Sequence, residues 1–422
     1  MTAIVVVGAQ WGDEGKGSLS DVLSYDAKLL VQYGGGGNPA QTIAVEGNRL
    51  VFDVLPPEPM RRGSTCLLAQ GMAIDPKLLV EELALLDEHG ISKGEALVCR
   101  RAHAILPHHI LVDELRHEEE GASGARRRGI GPAYADKLAR RGVQIGDLSS
   151  DKLGDKVAAS LAGWTTIIES LGGTAPDVGA MTEQLRAFGD RLAKHMTDGS
   201  VHVAAALERG EHVIIEAPFG TMVDIDMGAY PYVIAATTVA GGAAPGVGLP
   251  PTAVTRVIGV AKAYSTRPGR GPMGSEVTGD LAKHLIDKGQ EFTQDGRPRR
   301  VGMLDLAGLR FARRINGFEE LYLTKLDVLS GLAEIPVCVG YELDGQDLDE
   351  PPIHGLSRAT PKVEMRPGWT ESLEGCRVPD DLPEKARDFV RFVEEQVGAE
   401  ITMVGVGPDR AATIVKKSPF AF

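Results

Sequence analysis

Residues 3–7 read Ala-Ile-Val-Val-Val, and the chain passes from them without a break into GAQWGDEGKG at residues 8–17. A short β-branched run with no polar alternation has to be covered on both faces, which is the position of a strand inside a parallel sheet. Residues 19–30 then carry apolar side chains at helical spacing. Strand, glycine loop and helix in immediate succession constrain the fold strongly. Further apolar runs at 51–55, 96–100, 213–216, 254–260, 321–323 and 336–340 read as core strands. Helical patterns at 76–89, 181–197 and 304–314 fall between them. This alternation predicts an α/β fold with a mostly parallel central β-sheet flanked by helices. No Pro/Ser-rich linker and no repeat interrupts the chain. A single large domain over 1–422 is therefore expected, with long active-site loops near 34–48, 118–132 and 291–300.

Bulk properties exclude several functions. The formal net charge is −13, so affinity for nucleic acid or for anionic membranes is not expected. Anionic substrates must be met by local clusters: Arg126 to Arg128, Arg267 with Arg270, and Arg297 with Arg299 and Arg300. The bland reading of each cluster is a solvated face. The four cysteines are widely spaced and form no CxxC pair, which suggests neither zinc nor disulfides and makes a reducing cytoplasm the default. MTAIVVVGAQ has no basic n-region, and no stretch approaches the ~20 apolar residues of a membrane span. The 52 glycines are an excess that no low-complexity segment explains, and they imply tight loops with close backbone approach to ligands.

The 8–17 loop is where that excess acts. Exposed backbone amides can wrap phosphate oxygens, the helix N-terminus adds a favourable dipole, and Lys16 supplies a point charge. Asp13 and Glu14 bring carboxylates to an anion site, which makes sense with Mg²⁺ or with proton abstraction. The loop is P-loop-NTPase-like in position but has no Walker A motif: Gln10 and Gly17 break that spacing, and the Rossmann spacing is absent too. The dull alternative is a glycine turn with solvated charges. A second run, Gly34 to Gly37 with Asn38, is as much a turn as a ligand loop. Lys325 and Asp327 stand two apart at a strand end, which points both side chains the same way. Together they could read guanine, or form a surface ion pair. His108 and His109 lack partners at metal-ligand spacing and read as structural or surface groups. Trp11 reads as packing.

Taken together these segments resemble the adenylosuccinate synthetase family. The likeness rests on GAQWGDEGKG at 8–17, GIGPAYADK at 129–137 with ARRG at 139–142, and DIDMGAYPYV at 224–233. KAYSTRPGRGPMGSE at 262–276, the segment at 296–332 and VGVGPDRAATI at 404–414 continue it in register. The resemblance implies a single α/β domain, in a homodimer whose partner lends an arginine, here Arg140, to the neighbouring site. It implies that GTP with Mg²⁺ phosphorylates the 6-oxo group of IMP, and that the amino group of aspartate then displaces the phosphate. Asp13 would be general base and metal ligand, with the carbonyl of Ala40 also reaching the metal. Lys16 would hold phosphates, among Gly12, Gly15 and Gly17. Lys325 and Asp327 would hold guanine, with Arg299, Gly405 and Gly407 beside the nucleotide.

The chain departs from that pattern on the acceptor side. Gln41 stands where the family has a histidine that donates to the oxygen being phosphorylated, and it cannot act as a cationic acid. Pro218-Phe219-Gly220 replaces alanine-glutamine-glycine, Ile234 replaces a threonine, and Ala125-Arg126 replace paired threonines. The donor loop is one residue shorter, and its Asp295 would repel a dicarboxylate. Asn38, Arg140 and Arg297 persist. Acceptor or donor contacts are thus expected from Asn38, Arg126, Arg140, Phe219, Ile234, Asp295 and Arg297, and catalysis from Asp13, Lys16 and Gln41. The sequence reading is a GTP- and Mg²⁺-dependent carbon–nitrogen ligase acting on an acceptor or donor other than IMP and aspartate. Ordinary adenylosuccinate synthesis and a non-catalytic GTP-binding protein are the alternatives.

Overall fold

The computed structural model describes residues 2–37, 41–45, 48–57, 60, 63–91, 93–120, 127–293 and 296–420; at 41–45, 48–49, 117–120 and 410 it describes the backbone alone. Asn38, Ala40, Arg126 and Asp295 lie outside the described residues, and so does the side chain of Gln41.

Ten strands form the central sheet. In chain order they are β1 (Thr2–Gly8), β2 (Leu29–Gln32), β3 (Thr65–Leu68), β4 (Ala96–Cys99), β5 (Met196–Thr197), β6 (His212–Glu216), β7 (Arg256–Lys262), β8 (Glu320–Thr324), β9 (Glu400–Gly405) and β10 (Thr413–Val415). Their spatial order is β10-β9-β8-β7-β1-β6-β2-β3-β4-β5, and every pair is parallel except β9 with β10. β1 is therefore central, and all seven of its residues are buried. Its side chains alternate between two cores, as strand geometry requires. Ala3, Val5 and Val7 join a cluster with Leu306, Leu309, Phe389 and Val393, from helices α4 (Leu306–Asn316) and α5 (Glu384–Val397). Ile4 and Val6 face Leu19 and Leu23 of α1 (Lys16–Leu23). A third cluster, from Phe52 to Met196, packs the helices between β3 and β6, including α2 (Pro107–Glu120), beside which lies α3 (Ile130–Leu138).

Of the expected core strands, those at 96–100, 213–216, 254–260 and 321–323 are in the central sheet with small shifts of boundary, but two are not. The run placed at 51–55 is Asn48–Phe52, paired antiparallel with Gln41–Val45. The run placed at 336–340 is Glu334–Leu343 in a separate four-stranded sheet, because an apolar run does not say which sheet takes it up. Two expected helices need correction. The helix placed at 19–30 runs instead over Lys16–Leu23, and Leu29–Gln32 is β2. Leu29, Leu30 and Val31 are all buried, and that two-sided burial overrides the helical spacing. The helix placed at 181–197 is Val178–Leu192, and Met196–Thr197 is β5.

Chain order reverses at β1. From it the chain goes to β2, β3 and β4 on one side, returns through β6, and continues on the other through β7, β8 and β9. In open α/β sheets the crevice at the carboxyl ends of strands beside such a reversal is where ligands bind. Loop 8–17 leaves β1 at that end.

Candidate active site

Glu14 organises the loop from inside. It is fully buried. Its Oε1 accepts from the backbone N–H of Gln10 (3.1 Å) and Gly12 (2.9 Å), and its Oε2 accepts from Lys16 Nζ (3.0 Å). With these donors it is a staple rather than a free carboxylate at the anion site, which corrects the pairing of Asp13 with Glu14 as equals. Around the staple, Gly12 (φ 107°), Asp13 (φ 60°) and Gly15 (φ 95°) adopt left-handed backbone conformations. Asp13 bears that strain without being glycine, as residues at functional sites often do. Gly220 must be glycine for another reason: a Cβ there would lie 2.5 Å from Gln10 O and from Gly12 N.

The loop is anchored to the ends of β7 and β8 and to the 3₁₀ turn Thr221–Val223. Gln10 Nε2 donates to the carbonyls of Lys262 (3.2 Å) and Tyr264 (3.1 Å), and its Oε1 accepts from Lys262 N (3.0 Å). Thr324 Oγ1 donates to Glu14 O at 2.7 Å, and Thr221 Oγ1 to Gly8 O at 2.8 Å. Lys16 opens α1 and also donates to the carbonyl of Phe219. Gly15 is exposed and Gly17 half-exposed at the start of α1, where backbone N–H groups lack helical partners and can serve an anion.

Asp13 is the carboxylate left for chemistry. It pairs with Arg299 Nη1, and both groups are part-exposed. Arg299 Nε donates to Phe292 O (3.1 Å), and Arg299 N to Glu291 O (2.9 Å), so the 291–300 loop reaches the glycine loop.

At the end of β8, Lys325 and Asp327 come together by a route other than the expected strand. β8 stops at Thr324, Lys325 is left-handed (φ 58°), and Asp327 lies on a short 3₁₀ turn. Lys325 Nζ donates to Gly289 O (2.6 Å) and Glu291 Oε1 (2.9 Å). The same Oε1 accepts from Lys262 Nζ (2.7 Å) and Tyr264 OH (2.6 Å). Burial opposes ionisation of Glu291, but Lys262 and Lys325 outweigh it and hold its pKa below the usual value. Asp327 Oδ1 is buried without a hydrogen-bond partner among the described residues, and burial raises its pKa. Gly405 closes the floor, where a Cβ would lie 3.3 Å from Thr324 Cα and 3.4 Å from Lys325 N. Gly407 lies two residues after the end of β9.

The segment expected to meet the acceptor is built on Asp224. Its Oδ1 accepts from Asp226 N (2.9 Å) and Met227 N (3.0 Å), and its Oδ2 from Thr238 N (2.5 Å), which binds 224–238 into one unit. Phe219 is left-handed (φ 48°) and packs with Ile234 against a cluster containing Trp11, Met222 and Val223. Tyr134 OH pins the second glycine run, donating to Gly71 O (2.7 Å) and accepting from Gly35 N (3.0 Å). Arg128 Nη2 pairs with Asp53 Oδ2 at 2.5 Å, while its Nη1 is buried without a hydrogen-bond partner among the described residues, 3.3 Å from where a Gly37 Cβ would stand. Arg140 is exposed and left-handed (φ 62°) after α3. Arg297 is exposed, and its backbone is tied to Thr293. Glu291, Lys262, Tyr264 and Asp224 were not named as site residues: Lys262, Tyr264 and Asp224 stand in segments that carry the resemblance, but nothing local in the sequence showed what each would touch.

His108 and His109 are buried in a polar knot. His109 Nε2 meets Asp136 Oδ2 (3.1 Å) while its Nδ1 accepts from Leu106 N (3.1 Å). His108 Nε2 meets Ser160 Oγ at 2.9 Å. Asp136 also accepts from Ser160, from Arg141 Nε (2.7 Å) and from Trp164 Nε1 (2.8 Å). Burial disfavours its charge, yet the hydrogen bonds from His109, Ser160 and Arg141 pull its pKa down. Burial drops His108 to about 3. The ligand atoms of the two histidines and Asp136 lie within 4.8 Å of one another, but the carboxylate is saturated by donors and the role is structural.

The sequence profile of the family described as adenylosuccinate synthetase matches residues 5–414. The adenylosuccinate synthetase of Sorangium cellulosum (strain So ce56) is 44% identical, with 100% of both chains covered. That of Geobacillus kaustophilus (strain HTA426) is 40% identical over the same full spans. The structure of fully ligated adenylosuccinate synthetase from Plasmodium falciparum superposes with a TM-score of 0.89 at 32% identity, covering 99% of this chain and 100% of that one.

Proposed function

Since the chain belongs to the adenylosuccinate synthetase family and is thereby a GTP-dependent carbon–nitrogen ligase, we propose that it makes adenylosuccinate from IMP, aspartate and GTP in purine biosynthesis. One observation carries the reading. Asp13, on the loop that cradles phosphates, meets Arg299 of the 291–300 loop, while Glu291 of that loop grips the guanine-side Lys325. The 291–300 loop thus joins the phosphate loop, through Arg299 and Asp13, to the base side, through Glu291 and Lys325. This reading departs from the expectation of another substrate, because the full-length likeness is to proteins named for the ordinary reaction.

In the first step Asp13 takes the ring N1 proton of IMP, and O6 attacks the γ-phosphorus as GDP leaves. In the second, the amino nitrogen of aspartate attacks C6, inorganic phosphate departs and the nitrogen loses its proton. Lys16 and the α1 N-terminus bind the phosphates, positioning and neutralising them. Lys325 and the unpartnered Oδ1 of Asp327 receive the base, a carboxylate being complementary to the N1–H and N2 amino groups of guanine. Asp13 also suits Mg²⁺, being a part-exposed hard oxygen donor where Glu14 is saturated, and the Ala40 carbonyl is its proposed companion. The ion neutralises charge on the transferring phosphoryl group when bound. Arg299 must yield Asp13 as ligands enter. Arg140, exposed and without a side-chain partner among the described residues, is assigned to the neighbouring site of a homodimer. No described helix is long and apolar enough to cross a membrane, consistent with a proposed cytoplasmic location.

A second reading, a different acceptor, is favoured by the apolar wall of Phe219 and Ile234 beside Trp11. Purified protein with GTP, Mg²⁺, IMP and aspartate separates the two. The first reading requires GDP, phosphate and the absorbance of an N6-substituted adenine in equal amounts. No turnover at millimolar substrates, with GTP hydrolysis stimulated by another oxo-purine or carbonyl compound, would replace it with the second.

A further inference from the structure

Arg267 is almost wholly buried and forms no salt bridge among the described residues. Glu276, a carboxylate whose charge acts on Arg267, is taken bidentately by Arg300, at 2.7 and 2.5 Å. The Arg267 guanidinium instead donates to three carbonyls: Nε to Arg270 O (3.1 Å), Nη1 to Pro272 O (2.5 Å) and Nη2 to Tyr232 O (3.1 Å). Its Cζ lies over the Trp11 ring, 4.0 Å from the centroid. Gly271 (φ 103°) permits this, since a Cβ there would lie 2.5 Å from Nη2 and from Tyr232 Cγ. Trp11 belongs to the phosphate loop, two residues before Asp13, and Tyr232 to the acceptor segment bound together by Asp224. One buried cation therefore joins the two sides between which phosphoryl transfer has to occur.

Resting on the proposed reaction, we infer that Arg267 is a positioning residue. Through Trp11 and the Tyr232 carbonyl it holds the phosphate loop and the acceptor segment in register, so that acceptor oxygen and γ-phosphorus meet. A planar guanidinium suits this task, because it can lie flat on a ring while its edge N–H groups reach several carbonyls; an ammonium cannot do both.

The test is a double-mutant cycle on the full chain with Arg267→Met, Trp11→Leu and their combination, beside Arg267→Lys. Misregister of this kind costs about 10²-fold in kcat. Arg267→Met should show that loss with the KM for GTP moved less than about threefold, and Arg267→Lys should recover little of it. The combined variant should be hardly slower than the worse single one, because the two residues act as a unit. Trp11 emission, read as the difference from Trp11→Leu, should respond to GTP with Mg²⁺ in the parent and lose that response in Arg267→Met and Arg267→Lys. Additive losses in kcat, or a lowered melting temperature with kcat and the Trp11 response intact, would overturn the inference. If the parent fails to turn over IMP, the functional reading falls, and the fluorescence arm still decides the role of Arg267.

Discussion

Asp13 holds a left-handed backbone, an ion pair with Arg299 and, on the proposed reaction, both a proton and a metal. Asp13→Asn keeps the shape and removes the basicity. Its kcat should fall by about 10²–10⁴-fold while thermal stabilisation by GTP persists, which steady-state kinetics and melting curves would separate. Asp327 gives a second prediction. Its unpartnered oxygen is an acceptor, so Asp327→Asn, which presents a donor there, should lose GTP and gain xanthosine triphosphate, read as the ratio of the two kcat/KM values. Residues in the glycine loop were legible in advance, since strand, loop, lysine and carboxylate are contiguous. Glu291 was not, because its meaning comes from Lys262, Tyr264 and Lys325, which approach it only after the sheet has formed. Lys325 and Asp327 were found for a wrong reason: local turn geometry, rather than strand alternation, places them.

At the scale of elements, the loops are held by buried carboxylates. Glu82, on the helix Pro76–Glu88, accepts from Asp53, Val54 and Leu55 N–H groups and so fixes the chain after the 41–52 hairpin. Burial lifts its pKa from 4.5 to about 7 against those hydrogen bonds. A carboxyl with a raised folded pKa contributes stability that is complete below pH 4.5 and is lost as pH rises through about 7. The melting temperature of the parent should therefore fall across that window, and Glu82→Gln should flatten the fall. Gly220→Ala, which drives a methyl into Gln10 O and Gly12 N, should cost about 1–3 kcal/mol in denaturant unfolding and remove GTP-dependent stabilisation. Strands were legible as elements because continuous β-branched runs have one good environment. β2 was hidden within an apparent helix, since a run of four residues does not declare its period.

For the whole molecule, the parallel order and two-sided burial were readable from strand–helix alternation, whereas the position of β1 between β6 and β7 was not, because alternation carries no spatial order. The proposed dimer has its own test at this scale. If each site takes Arg140 from the partner, mixing inactive Asp13→Ala and Arg140→Leu dimers should restore about a quarter of parental activity after subunit exchange. Two inactive pools that stay inactive after verified exchange would place Arg140 outside the site. The central place of β1 bears also on how the chain is made. Its first partner in the sheet begins at His212 and its second at Arg256, so the most apolar strand emerges early and waits unpaired. At ~5–20 residues per second that wait lasts on the order of 10–40 s. Throughout it the phosphate loop has no strand to brace it, and both edges of β1 are open to other chains. A nascent polypeptide of this kind needs sheltering early in synthesis, and its capacity to hold GTP is among the last properties to arise.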